Sequence, residues 1–141
     1  MRSRFRGSGR ILVVVAVFLV AGCYFGKYDK LARTHVQLLL AMAQKLEDVT
    51  REQGAPPASL AEYRYPLERA RDFARIVGGR FQGRPSLAAF TAFCDAYDGV
   101  VRAAESLRGE PDAEGTLARA RATLDERAAA VLRALDAEAR S

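Results

Sequence analysis

Tryptophan is absent from this 141-residue chain, histidine occurs once, cysteine twice, and lysine only at Lys27, Lys30 and Lys45. Each scarcity removes a class of chemistry. A single histidine, His35, leaves no second imidazole for a Glu-x-x-His di-iron pair or a His-Glu-x-x-His zinc site. Met42 lies two turns from His35 on one helix, so the two cannot clamp a haem iron from opposite sides. Cys23 and Cys94 form no Cys-x-x-Cys-His and cannot build a disulfide framework. No Gly-rich phosphate loop and no Gly-x-Ser-x-Gly occurs, so neither nucleotide binding nor serine hydrolysis is indicated. These absences imply no cofactor and no metal.

What is abundant is arginine and alanine, and the arginine is unevenly placed. The formal charge is +5, from 22 basic and 17 acidic residues. Four of the basic residues, Arg2, Arg4, Arg6 and Arg10, precede an unbroken apolar run, Ile11 to Ala21. A basic segment followed by an apolar run of this length has the form of an export signal. Without those arginines 18 basic residues face 17 acidic ones, and no long-range attraction to nucleic acid is expected.

The run closes on Val20-Ala21-Gly22-Cys23. This resembles the lipobox of bacterial lipoproteins, in which an aliphatic residue and two small ones precede a cysteine. The resemblance implies that the Cys23 thiol carries diacylglycerol and that the chain is cut between Gly22 and Cys23. It covers about the first sixth of the sequence and implies nothing about the rest. The alternative is an uncleaved signal anchor in a single-pass protein with a periplasmic helical domain. From Ile11 the apolar stretch reaches Gly26 at most, 16 residues, against about 20 needed to cross the hydrocarbon core. Acyl chains contribute about 0.8 kcal/mol per buried methylene, so two chains anchor firmly. Tyr24, where a retention aspartate would stand, favours the outer membrane facing the periplasm. The division expected is a signal peptide at 1–22, a lipidated tether at 23–30 and a helical domain at 31–141.

Beyond the tether the spacing is helical throughout. Leu31, His35, Leu38, Met42, Leu46 and Val49 form one stripe, widened by Leu39 and Ala43 and ended near Gly54 and Pro56-Pro57. Ser59 and Glu62 fit a capping box. Leu60, Tyr63, Leu67, Ala70, Ala74 and Val77 follow, with Phe73 and Ile76 beside them. Pro66 either kinks this helix or opens a new one. Gly78, Gly79, Gly83 and Pro85 mark its exit and the next entry. The third seam is Leu87, Phe90, Cys94, Tyr97, Val101 and Ala104, flanked by Phe93, Val100 and Leu107. Gly109 and Pro111 separate it from Leu117, Ala120, Leu124, Ala128, Val131 and Leu135. Short connections between long helices predict an all-α, antiparallel up-down-up-down four-helix bundle. The alanine-rich fourth helix is expected to be the most loosely held.

Few residues suggest a site. His35 and Cys94 both fall on apolar stripes, where burial is the expected role. Between Glu62 and Arg84 six arginines (Arg64, Arg69, Arg71, Arg75, Arg80 and Arg84) face three acidic residues. They form either a patch for an acidic partner, such as anionic lipid or cell-wall polymer, or a solvated face. In the second case Glu68 pairs with Arg64 and Arg71, and Asp72 with Arg75. The expected function is a non-catalytic, membrane-tethered envelope lipoprotein serving as a helical protein-interaction module or accessory subunit. The alternative is a hydrophobic-ligand carrier with Phe73, Phe90, Phe93 and Tyr97 lining its cavity.

Overall fold

The computed structural model describes the backbone of residues 8–108 and 113–141, with side chains for 26–108 and 115–141. The described residues form four α-helices and no strand: α1 (Ser8–Gln53), α2 (Ala61–Phe81), α3 (Pro85–Ser106) and α4 (Ala113–Arg140). The chain divides into two compact units, Met1–Leu31 and Ala32–Ser141. The break expected at Gly109 and Pro111 lies outside the described residues.

α1 runs without interruption through 23–30, the segment expected to be the lipidated tether. No proline occurs before Pro56. Gly22 and Gly26 cost only about 1 kcal/mol each against alanine, too little to end a helix whose other residues favour it. The helix stops where the backbone demands it: Gly54 takes a left-handed φ of +67°, the conformation that closes helices with least strain on glycine.

The buried stripe of α1 is Ala32, Val36, Leu39, Ala43, Leu46 and Thr50. It keeps Leu39, Ala43 and Leu46 of the expected stripe and elsewhere stands one residue on, with Ala32, Val36 and Thr50 in place of Leu31, His35 and Val49, a rotation of about 100°. Leu31 and Leu38 are 48% and 45% exposed, while His35, Met42 and Val49 are half-buried. Alanine at 32 and 43 lets the helices approach closely. The large side chains on the adjacent face then sit at its margin.

In α2, Pro66 is buried at the sixth position of a continuous helix, so it does not begin a new one. Lacking an N–H, it leaves the Glu62 carbonyl without its helical donor. One residue along, the buried Tyr97 hydroxyl donates to the Tyr63 carbonyl at 2.7 Å, which ties α3 to this weakened turn. The capping box does not form. Leu60 is the N-cap without a side-chain bond. Ser59 Oγ accepts only from the Ala61 N–H at 3.3 Å, and the Glu62 carboxylate binds Lys45 of α1 instead. An ammonium outcompetes a neutral amide for that carboxylate.

Gly83 turns the chain with φ +84° and Pro85 opens α3 at its first turn, as its fixed φ suits. Phe90, Phe93, Tyr97, Val100 and Val101 are wholly buried. The fourth helix is not loose. Leu124, Val131 and Leu135 are completely buried, and its main neighbour is α3.

Ion pairs link the helices in order. Arg33 of α1 meets Asp136 of α4 at 2.6 Å, and Arg121 of α4 reaches Glu47 at 3.4 Å and Gln44 at 3.2 Å. Lys45 of α1 meets Glu62 of α2. Arg64 and Arg71 of α2 meet Glu105 and Asp95 of α3 at 2.8 and 3.2 Å.

A less obvious link closes the α3–α4 end. The N-cap of α3, Arg84, offers its helix no side-chain bond. Glu138 of α4 supplies one, accepting from the Ser86 N–H at 3.0 Å and the Ser86 hydroxyl at 2.6 Å. Ser86 is fully buried, and a carboxylate at a helix N-terminus also meets the favourable end of its dipole. Glu138→Ala leaves two buried donors unsatisfied and is expected to cost about 2 kcal/mol, read as a lower urea midpoint with an unchanged slope.

Candidate functional site

The six arginines of the α2 region do not form one surface. Arg64 and Arg71 turn toward α3 carboxylates. Their expected partner Glu68 takes neither in these contacts. The expected Asp72–Arg75 pair is present at 2.7 Å. Arg69 acts electrostatically on His35. Arg80 and Arg84 stand apart, at the connection to α3, with the Arg84 guanidinium 5.2 Å from the centre of the Phe81 ring. The first three are therefore structural ties between or within helices, each worth up to about 1 kcal/mol at an exposed site. Only the exposed Arg80 and Arg84 lie together at one end of the domain.

The sequence gives no clue to some of the strongest polar contacts. Glu138 and Ser86 lie 52 residues apart. Arg108 donates to the carbonyls of Pro57 and Ala58, pinning the α1–α2 loop. No local motif announces either. Asp98 binds Arg102 at 2.8 Å and Asp125 binds Arg121 at 3.1 Å.

His35 and Cys94 occupy separate settings. The His35 ring is 5.0 Å from Phe73 and 6.2 Å from Phe90, centre to centre. Burial, and secondarily the Arg69 charge, hold its pKa below the usual 6.5 and favour the neutral ring. Cys94 is 1% exposed. Burial pushes its thiol from an ordinary value near 9 up to about 12, a rise that Arg71 opposes and Asp95 reinforces. A thiol so strongly protonated at neutral pH is a poor nucleophile. Among the described residues no group of three or more His, Cys, Asp or Glu side chains could hold a metal ion.

Phe73, Phe90, Phe93 and Tyr97 pack as core. Phe73 meets Phe90 edge-to-face at 5.5 Å, and Phe90 lies 6.3 Å from Phe93. The concave features are elsewhere and open. A cleft of about 540 Å³ lies between the α2 start and the α3 end, bordered by Arg64, Tyr65, Glu68, Glu105 and Arg108. A smaller one of about 310 Å³ is lined by Arg71, Arg75, Leu87, Thr91 and Cys94. Neither is lined by the four core rings.

No protein-family model matches the chain, and neither a curated protein nor a solved structure is significantly similar to it. Function therefore rests on the residues themselves. Gly22 and Cys23, the expected cleavage and lipidation positions, lie in the helical backbone of α1, with side chains outside those the structure describes. Among the described residues no helix is long and apolar enough to cross a membrane.

Proposed function

We propose that the chain is a membrane-tethered envelope lipoprotein, anchored through Cys23, whose helical domain is a non-catalytic interaction module or accessory subunit. The observation that carries this is the tetrapeptide Val20-Ala21-Gly22-Cys23 closing an apolar run that follows four arginines. The outer membrane, on its periplasmic side, is the proposed location, argued from Tyr24.

Several features of the domain support a scaffold role. Its cysteine is buried and protonated, its histidine lies tilted against Phe73 and edge-on to Phe90, and its carboxylates are largely engaged by arginine. The order of the inter-helix links (33 with 136, 45 with 62, 64 with 105, 86 with 138) supports an up-down-up-down arrangement. Exposed Leu38, Tyr65 and Ile76 supply apolar surface suited to a protein partner.

Extraction of the native membrane in mild detergent, followed by native mass measurement, tests the module role. A stoichiometric complex with another envelope protein is expected. A clean monomer would contradict it.

One observation favours a second reading, the signal anchor. The α1 helix passes without a break through Gly22 and Cys23, whereas a peptidase needs local access to the bond it cuts. The 16-residue apolar stretch weighs against it, being about a turn short of the membrane core.

A further inference from the structure

His35 is the one histidine of the chain, and its ring is set where three helices meet. From α1 it lies against Phe73 of α2, 5.0 Å between ring centres and tilted by 34°, and edge-on to Phe90 of α3 at 6.2 Å. Both phenylalanines are buried, and the histidine is half-buried. Among the described residues no protein group hydrogen-bonds to the imidazole.

The charged groups around the ring are of the wrong sign or engaged elsewhere. From α2 the guanidinium of the exposed Arg69 acts on it. Glu68 borders the cleft toward α3, and Asp72 is held by Arg75 at 2.7 Å. From α3 comes the Phe90 ring, while Asp95 of that helix is held by Arg71. Of the carboxylates on α4, Asp136 pairs with Arg33 of α1 and Glu138 binds Ser86. One turn to either side of His35, α1 itself carries only Leu31, Ala32, Leu38 and Leu39.

A neutral imidazole suits this setting and an imidazolium does not. A proton brings charge to a half-dry ring beside Arg69, with no carboxylate to pair it. The attraction of that charge to the Phe73 face is the smaller effect, since burial and then Arg69 hold the ring's pKa below 6.5. Hydrating the charged ring requires α1 to draw away from Phe73 and Phe90. The links of α2 to α3 do not depend on it: Arg64–Glu105, Arg71–Asp95 and the Tyr97 hydroxyl donating to the Tyr63 carbonyl involve no histidine.

We propose that His35 is an acid-sensitive latch: one proton on its ring, beside Arg69, loosens α1 from the α2–α3 face in mildly acidic surroundings. The inference rests on the helical domain alone and stands whether or not the chain is anchored at Cys23. The unfolded chain takes up this proton below about pH 6.5 and the folded chain only at lower pH, so stability is flat above 6.5 and falls beneath it. Ion-paired carboxylates keep their charge down to about pH 5, which leaves that interval to the histidine.

Full-length protein in mild detergent is unfolded in urea at pH 7.5 and at pH 5.5, followed by circular dichroism. The ratio of folded to unfolded chain is expected to fall on acidification, by at most about tenfold. Hydrogen exchange, corrected for the intrinsic effect of pH, is measured in parallel. The amides of α1 from Ala32 onward are expected to lose protection before those of α3 and α4. His35→Leu keeps an apolar contact and is expected to abolish the acid response. Arg69→Glu, at an exposed position, sets a carboxylate beside the ring and is expected to shrink it.

An equal acid response in wild type and His35→Leu overturns the assignment to His35. A response that Arg69→Glu leaves at full size overturns the part given to Arg69. Uniform loss of protection across all four helices overturns the latch, since acid would then weaken the whole fold and not one seam.

Discussion

Phe90→Ala is expected to lower the unfolding free energy by about 3–5 kcal/mol, the range for deleting a buried aromatic ring. Phe90 is completely buried and is the ring on which three helices converge: His35 of α1, Phe73 of α2 and Phe93 of its own helix all lie within 6.3 Å of it, centre to centre. Truncation removes the transfer free energy of the ring and leaves a cavity that three rigid helices cannot close. It also removes the edge-to-face contact with Phe73, worth about 0.5–1.5 kcal/mol. Domains of this size are stable by only about 5–15 kcal/mol, so about a fifth or more of the total is at stake. Urea denaturation followed by circular dichroism measures it. Ile76→Ala, at an exposed position, is expected to stay within about 0.5 kcal/mol of wild type. Equal losses for the two variants would mean that the helices pack about another face.

The second large effect is alkaline. Cys94 ionises near 9 when exposed but only at about 12 in the fold. Above pH 9 the unfolded chain loses this proton and the folded chain keeps it, so the folded state binds more protons and stability falls as pH rises. Below pH 9 the thiol is protonated in both states and the contribution is flat. The loss is about 1.4 kcal/mol per pH unit, or about 4 kcal/mol by pH 12. Burial raises Tyr63 and Tyr97 as well, and both act in the same direction at still higher pH. Cys94→Ala is expected to remove the part of the decline that begins at pH 9 and leave the tyrosine part. In the native protein near pH 8, alkylation of Cys94 is expected to run about a thousandfold slower than in urea, in proportion to the thiolate fraction. Rapid native alkylation at that cysteine would contradict its burial.

Helix number and type were legible in the periodicity, because an apolar residue every three or four positions permits little else over twenty residues. The α3 and α4 seams were read almost residue for residue, since each has one apolar face and a polar remainder. The α1 stripe was legible only in part, at Leu39, Ala43 and Leu46, because that helix has two adjacent apolar faces. Only the partner helices decide between them, and they select the face with Ala32 and Ala43. The capping box failed for a related reason. Glu62 suits the cap locally, but Lys45, 17 residues away, is a better partner. The arginine cluster was visible in sequence, yet its division was not, because Glu105 and Asp95 are recruited from another helix. The Glu138–Ser86 cap had no local signature at all.

The most direct test of membrane anchoring is the intact mass of the protein purified from its native membrane, beside a Cys23→Ala variant. A chain beginning at Cys23 and carrying diacylglycerol and a further acyl chain, with that mass absent in the variant, is the predicted result. A full-length, unmodified chain in the membrane fraction would contradict lipidation, and the arginines before Ile11 would then belong to the working protein.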